Sequence, residues 1–247
     1  MDNEQDLDRH TEEFIQAMDK YENQGYHRIE ILTSFFNVSL QALSLFNLFY
    51  FSSFSHTSIF VCLFVLFITY LITDLVNGLV HMMMDNNTHY TSVIGPLVAV
   101  FHLHHAKLVY KVRPLLRVYF DESGAKFWLF FYLLSLVICQ FTFSIPTPLN
   151  LGLVAFGIFS TLSEISHYWC HNATEENTFI LWLQEHHILL SKAHHKAHHK
   201  YDNVQYAFLN GVSDPIIDYI ARWRFKNKGY KNYADKHTKV YMKRKAQ

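Results

Sequence analysis

Histidine is the residue type in this sequence that is best suited to metal chemistry. The chain of 247 residues contains 17 histidines and only 3 cysteines, so a metal site would depend on imidazole ligands rather than on thiolates. His81 with Asp85, and His167 with His171, are each spaced four residues apart. Residues at this spacing share one face of a helix, so each pair could bind one cation.

Two denser groups accompany these pairs. One lies within 102–105 and the other within 194–199, where a helix would bring three or four imidazoles together. Taken alone, the run 194–199 could be a surface patch that binds metal adventitiously, but four groups in one chain favour a metal centre. The histidines of these groups are His102, His104 and His105, and His194, His195, His198 and His199.

The number of candidate ligands indicates more than one metal ion. A single catalytic zinc needs about three protein ligands, whereas eight or more imidazoles match two ions. Nitrogen-rich sites with open positions suit iron that must bind dioxygen. Soluble di-iron bundles use carboxylates, but only four acidic residues lie near the groups: Asp74, Asp85, Glu164 and Glu185. An all-histidine or nearly all-histidine di-iron centre is the economical interpretation.

Five isolated histidines have a simpler interpretation. A lone histidine is more often solvated or hydrogen-bonded than bound to metal. We interpret these five in this way: His10, His27, His56, His89 and His237.

Long charge-free intervals must supply the elements that position these groups. The chain is 50% hydrophobic and 17% charged, and it has no net charge, so nothing favours a nucleic-acid partner. The interval between Glu30 and Asp74 is long enough for two membrane spans, predicted at 31–52 and 57–80. A second interval, 127–163, is divided by two prolines within 144–148. The sequence therefore predicts an all-α integral membrane protein with about four spans rather than a soluble bundle.

Lysine and arginine predict the orientation. Both are absent from the hairpin tips 52–58 and 144–150, and both are frequent in the connection 81–126 and after Ser191. The positive-inside rule then places both termini and the connection in the cytoplasm. Thirteen of the 17 histidines fall on that side and form a predicted histidine-rich helical cap. No cleavable signal peptide is apparent.

The chain divides into three predicted segments. Residues 1–30 form an acidic cytoplasmic segment, expected to be a solvated, partly helical tail, residues 31–225 form the membrane domain, and residues 226–247 form a basic tail. The host membrane is predicted to be a bacterial inner membrane or the endoplasmic reticulum.

The order of the motifs resembles the Kua family of lipid desaturases over roughly residues 60–225. A C-terminal stretch, 206–218, is also similar to that family. Two features depart from it, namely Met82 after the first histidine and the loop 107–121. The matching motifs are Asp74-Leu-Val-Asn-Gly-Leu-Val-His81, His104-His105, His167-x-x-x-His171 and His194-His195-x-x-His198-His199.

The resemblance implies a membrane di-iron desaturase that uses dioxygen. The implied metal ligands are His81, His104, His105, His167, His171, His195, His198 and His199, with His194 and Asp85 close behind. Acceptors for the outer ring N–H groups are expected to be Asp74, Glu164, Asn210, Asp214 and Asp218. His102, His186 and His187 lie beside motif positions without clearly belonging to them.

The implied substrate is an alkyl or acyl chain of a membrane phospholipid, with the vinyl ether bond of plasmalogens as one candidate. Because no flavin or dinucleotide motif is present, electrons must come from a separate protein such as cytochrome b5 or a ferredoxin. The expected docking surface is the basic stretch 107–117 together with the C-terminal basic residues.

Four other interpretations remain open at this point. An acyl desaturase of the phosphatidylglycerol type and a lipid hydroxylase would use the same centre. A membrane zinc hydrolase would need fewer histidines and no electron donor, and a metal transporter or sensor would place ligands along a path through the spans.

Overall fold

The computed structural model describes residues 4–106, 112–201, 204–225 and 233–246. This part of the chain is all-α, as predicted, and contains no β-strand. Its helices are α1 (Glu4–Asn23), α2 (Tyr26–Phe51), α3 (Ile59–Asp85), α4 (Gly95–Ala106), α5 (Leu115–Ser123), α6 (Phe127–Thr142), α7 (Thr147–Asn172), α8 (Thr178–Glu185), α9 (Lys192–Tyr201), α10 (Asp214–Arg224) and α11 (Tyr233–Lys245).

The helices α2, α3 and α7 are long and apolar enough to cross a bilayer. Together, α5 and α6 are also long and apolar enough to cross a bilayer, and they are bent by 89° at the break between them. They form a fourth span if the pair crosses as one broken helix. The described chain therefore has three to four spans, and it is a membrane protein. The main contacts of the bundle join α3 to α7 and α2 to α6.

The two predicted hairpin turns are present. Residues 52–58 connect α2 to α3, and residues 143–146 connect α6 to α7. The turns meet, since the Thr147 hydroxyl donates to the Ser53 carbonyl oxygen at 3.3 Å and the Asn150 amide donates to the Ser52 hydroxyl oxygen at 3.1 Å. We call this side of the bundle the hairpin end.

Polar side chains of α2 find partners on other helices, as their position in an apolar helix requires. Asn37 donates to the Ser123 carbonyl oxygen at 2.8 Å. Gln41 donates to the Gly157 carbonyl oxygen at 2.9 Å. Such buried bonds fix the rotation of α2 about its axis.

The long helices extend beyond the membrane core on the other side. The 27 residues of α3 correspond to about 40 Å of helix, against a hydrocarbon core of about 30 Å. The final turns of α3 and α7 carry His81, Asp85, His167 and His171. We call this side the histidine end.

The acidic N-terminal segment is not the solvated tail that its charge predicts. Phe14, Ala17 and Met18 of α1 are buried, and they share a core with residues of α4 and α11 such as Val98 and Tyr241. The spacing of three and four residues forms an apolar stripe on a helix that is otherwise acidic. Helix α1 therefore packs against the histidine end.

Candidate metal centre

Two clusters of potential ligands lie at the histidine end. Within each cluster, one ligand atom from every residue lies within 4.8 Å of the others. Nine of the ten predicted ligand residues take part, and they come from α3, α4, α7 and α9. Cluster A consists of His104, His167, His171, His195 and His199, and cluster B consists of His81, Asp85, His105 and His198.

Cluster A is centred on the Nε2 atom of His195. This atom lies 2.9 Å from Nε2 of His167, 2.9 Å from Nε2 of His171 and 2.8 Å from Nε2 of His199. A neutral imidazole carries a single N–H, so nitrogens that converge at 2.8 to 2.9 Å must include acceptors with a lone pair. A cation at this point would accept those lone pairs.

Three imidazoles of cluster A, those of His104, His195 and His199, favour the neutral form. Burial, reinforced by the neighbouring imidazoles, holds the pKa of His104 and of His195 well below the usual histidine value. The same causes lower the pKa of His199 to about 2. Neutral rings keep the lone pairs that metal binding requires.

Cluster B is organised around the carboxylate of Asp85. One oxygen, Oδ1, lies 3.1 Å from Nε2 of His105, and the other, Oδ2, lies 3.3 Å from Nε2 of His81 and 3.4 Å from Nε2 of His198. Asp85 is thus the single carboxylate in the two clusters of the described chain.

The donor set of cluster B fits a metal ion. Within the described residues, Asp85 Oδ2 and His198 Nε2 are buried and make no hydrogen bond beyond the ion-pair contacts given above. Buried polar atoms normally have a partner, and a cation between them would supply it. Imidazole nitrogen with one carboxylate is a donor set that iron accepts.

In cluster B, backbone carbonyls rather than carboxylates contact the outer nitrogens of His81 and His198. His81 Nδ1 lies 2.6 Å from the Tyr206 carbonyl oxygen, and His198 Nδ1 lies 2.8 Å from the Val204 carbonyl oxygen. Such contacts orient a ligand ring and fix its tautomer. Both acceptors belong to the segment 204–213, in which the sequence predicts a different acceptor, the side chain of Asn210.

Three of the predicted acceptors support this segment, and one of them, Asp214, also contacts the ring of His194. Asp74 accepts from the backbone N–H groups of 209–211 and 213 at 2.9 to 3.3 Å and from the Ser213 hydroxyl at 2.6 Å. Asp218 accepts from the N–H of Gln205 at 2.8 Å. Asp214 accepts from the N–H of Ala207 at 2.8 Å. These carboxylates hold the backbone of the segment whose carbonyls contact the ligand candidates, so their effect on the ligands is indirect.

The other two predicted acceptors differ from each other. Glu164 Oε2 lies 3.6 Å from Nδ1 of His167, beyond hydrogen-bond length, while Oε1 pairs with the Lys126 ammonium at 2.9 Å. Asn210 accepts from the N–H of Val212 at 2.8 Å, which is a bond within its own turn.

Several histidines near the motifs lie outside both clusters. His194 is directed away from its neighbours, with Nε2 2.5 Å from Asp214 Oδ2. His102 is buried, where it contacts the Met84 carbonyl oxygen at 3.0 Å and the Tyr90 hydroxyl at 2.8 Å. His186 contacts the Trp182 carbonyl oxygen and is exposed. The expectation that His194 joins the ligands has no geometric support.

A cavity of about 350 Å³ lies beside both clusters. His81 of cluster B and His104 and His167 of cluster A line it, so one bound molecule would reach both. Its apolar wall includes Ile31, Leu97, Val100, Phe101 and Phe208. Its charged lining consists of Glu30, Arg113, Arg117, Asp121, Glu122 and Glu164.

The geometry is compatible with a histidine-rich metal site beside a cavity that has an apolar wall. Residues 70–230 match the family model of the lipid desaturase domain, which is more than half of the chain and includes both clusters. The chain belongs to the lipid desaturase family. No curated protein and no solved structure gives a significant match. The resemblance to lipid desaturases drawn from the sequence motifs is thereby confirmed at the level of the family.

Proposed function

We propose that this lipid desaturase is a di-iron enzyme that introduces a double bond into an alkyl or acyl chain of a membrane phospholipid, with dioxygen as oxidant. The observation that carries the proposal is the presence of two ligand clusters on one cavity with an apolar wall at the end of the spanning helices. A water-soluble substrate would not need a cavity at the end of membrane-spanning helices.

Clusters A and B would hold one iron ion each. The bound ions would supply the activation of dioxygen needed to remove hydrogen from an unactivated methylene group. The reaction balances when the lipid gives up two hydrogens, a donor supplies two electrons, the solvent supplies two protons, and dioxygen leaves as two waters. The chain's own contribution is to orient the ligands and to keep bulk water from the reacting carbon.

The donor is proposed to be cytochrome b5 or a ferredoxin that docks on the cytoplasmic side. The histidine end is taken to face the cytoplasm, in agreement with the lysine and arginine bias. Part of the expected docking surface, Lys107 and Lys111, lies outside the described residues. The basic final turn of α11, which includes Lys243 and Arg244, is described and exposed.

The charges of the cavity support a substrate with an ammonium headgroup, for which plasmanylethanolamine is the leading candidate. Arg113 bonds to Asp121 at 2.8 Å and to Glu122, and Arg117 bonds to Asp121 at 2.9 Å. Both guanidinium groups are therefore already paired with carboxylates. Of the four described lining carboxylates, Glu30 contacts the Tyr21 hydroxyl instead of a lysine or arginine. Because Glu164 pairs with Lys126 at 2.9 Å, Glu30 is the described lining carboxylate that an ammonium group would complement.

The test uses the purified protein in lipid nanodiscs, with iron and zinc measured per chain. Nanodiscs containing an ether lipid with an ethanolamine headgroup are incubated with dioxygen and reduced donor, and the lipid is then analysed by mass spectrometry. Desaturation predicts a loss of two hydrogens. A gain of one oxygen would identify a hydroxylase, and zinc with turnover in the absence of dioxygen would identify a hydrolase.

Two variants and a second lipid sharpen the result. His198→Ala removes a cluster B ligand and is expected to abolish turnover, whereas His186→Ala changes an exposed histidine outside both clusters and is expected to retain it. An otherwise identical lipid with a phosphoglycerol headgroup should react more slowly. Equal or faster reaction would overturn the ammonium preference and favour an enzyme of the phosphatidylglycerol type.

A further inference from the structure

Helix α10 presents apolar side chains on two opposite faces. Ile217 and Ala221 are buried against α3. On the other face, Ile216, Tyr219 and Trp223 are 56%, 68% and 73% exposed. An exposed stripe of this kind, with spacings of three and four residues, marks a surface that is covered by something else.

The position of α10 relative to the membrane follows from the point at which it contacts α3. From Ile59 at the hairpin end, 20 residues of helix span about 30 Å, the thickness of the hydrocarbon core, and end at Gly78. A Cβ atom on Gly78 would lie 2.4 Å from Cδ1 of Ile217. Helix α10 therefore contacts α3 at the level where the hydrocarbon meets the headgroups.

Large apolar side chains are also exposed on the spanning helix that α10 contacts. Phe64 and Ile72 of α3 are 65% and 47% exposed on a helix that crosses the core. Tyrosine and tryptophan are enriched at the boundary between hydrocarbon and headgroups. Arg222 and Arg224 on α10 are exposed, as suits contact with phosphate groups.

A second short helix shows the same features. Phe179 and Trp182 of α8 are 67% and 46% exposed, and their rings stack 6.2 Å apart. The following turn is attached to the membrane part of the bundle, because the Tyr70 hydroxyl of α3 donates to the Ile188 carbonyl oxygen.

We infer that α10, together with α8, lies flat in the headgroup region of the membrane leaflet at the histidine end and inserts its exposed aromatic side chains among the lipids. This inference rests on the spanning helices and not on the desaturation chemistry. Because α10 follows the segment 204–213, its insertion depth sets the height of the carbonyls that hold His81 and His198. The membrane surface would thereby help to position cluster B relative to the lipid chain.

The experiment measures the depth of Trp223 in full-length protein reconstituted into nanodiscs. Phospholipids brominated near the headgroup or near the terminal methyl group quench tryptophan according to depth, and acrylamide quenches from water. The Trp223 contribution is the emission lost in Trp223→Phe. We expect headgroup-proximal bromines to quench most of it, methyl-terminal bromines to quench less, and acrylamide to quench little.

Two other outcomes would overturn the inference. Strong quenching by acrylamide with none by bromines would place α10 in water. No quenching by either agent would show that protein, such as a second copy of the chain, covers the stripe. Tyr219→Trp in the Trp223→Phe background places the probe one turn away on the same face, and it must report the same depth. The readout does not involve turnover, so it is independent of the proposed reaction.

Discussion

Nδ1 of His81 lies 2.6 Å from the carbonyl oxygen of Tyr206, so the conformation of a loop determines the orientation of a ligand candidate on α3. That loop is in turn held by Asp74, which is fully buried and lies two helical turns before His81. One face of α3 thus supplies both a ligand candidate and the support for the residue that orients it.

Asp74→Ala is expected to destabilise the protein and to weaken metal retention. The substitution leaves several buried N–H groups of the segment 209–213 without their acceptor, at about 1 to 3 kcal/mol for each group. Thermal unfolding and iron content, measured on the purified protein, check this. Asp19→Asn, on the exposed face of α1, is the control, and an Asp74→Ala protein with normal iron content would contradict the role given to the loop.

Removal of one ligand from each cluster should produce a stepwise loss of iron. His195→Ala affects cluster A, and His198→Ala affects cluster B, so each is expected to lower the iron content from two ions to one per chain. The double variant should hold none. Metal analysis by mass spectrometry after chelator washing gives the stoichiometry. Complete loss in either single variant would mean that the clusters bind metal as one unit.

His102 and His104 should respond differently although they lie on the same helix. His102→Gln removes contacts to Met84 and Tyr90 and is expected to cost about 1 to 3 kcal/mol of stability while iron content is unchanged. His104→Gln is expected to lower iron content, because His104 belongs to cluster A. Iron analysis beside thermal unfolding separates the two effects, and loss of iron from the His102 variant would refute the assignment.

Gly78→Ala should disturb the contact between α3 and α10. The added Cβ would lie 2.4 Å from Cδ1 of Ile217 and 3.1 Å from Cα of Ala207. Overpacking of this kind costs about 1 to 3 kcal/mol. The double variant Gly78→Ala/Ile217→Val lacks the closer atom and should recover part of the lost thermal stability. Absence of any recovery would locate the clash at the backbone of Ala207.

Phe14→Ala tests the packing of α1. Phe14 is fully buried beside Tyr90 and Tyr241, so truncation is expected to cost about 3 to 5 kcal/mol. Iron content per folded chain should stay unchanged because α1 supplies no member of either cluster. Arg9→Ala, at an exposed position of the same helix, is the matched control for the thermal unfolding measurement.

Local patterns made the spans and the ligand candidates predictable. Charge-free intervals fix the position of a span, and pairs such as His167 and His171 share a helix face whatever the tertiary structure. The apolar stripe of Phe14, Ala17 and Met18 is also a local pattern from which the packing of α1 could be predicted, although acidic residues surround it. Attention to spacing rather than to net charge would have found it.

Contacts between residues far apart in the chain could not be predicted from the sequence. His104 and His105 are neighbours in the chain, yet they join different clusters because adjacent residues on a helix point about 100° apart. Which cluster each one joins depends on where α7 and α9 lie. Likewise, a carboxylate such as Asp218 could serve a ring nitrogen or a backbone N–H, and only the fold of the segment 204–213 decides between them.

The distribution of the clusters along the chain has a consequence for biosynthesis. Cluster B needs His81 from α3 and His198 from α9, and cluster A needs His104 and His199. Neither cluster is complete until about residue 199 has left the ribosome, by which time the spanning helices have already been synthesised. Metal bound by both complete clusters would therefore enter after the spanning helices have been synthesised.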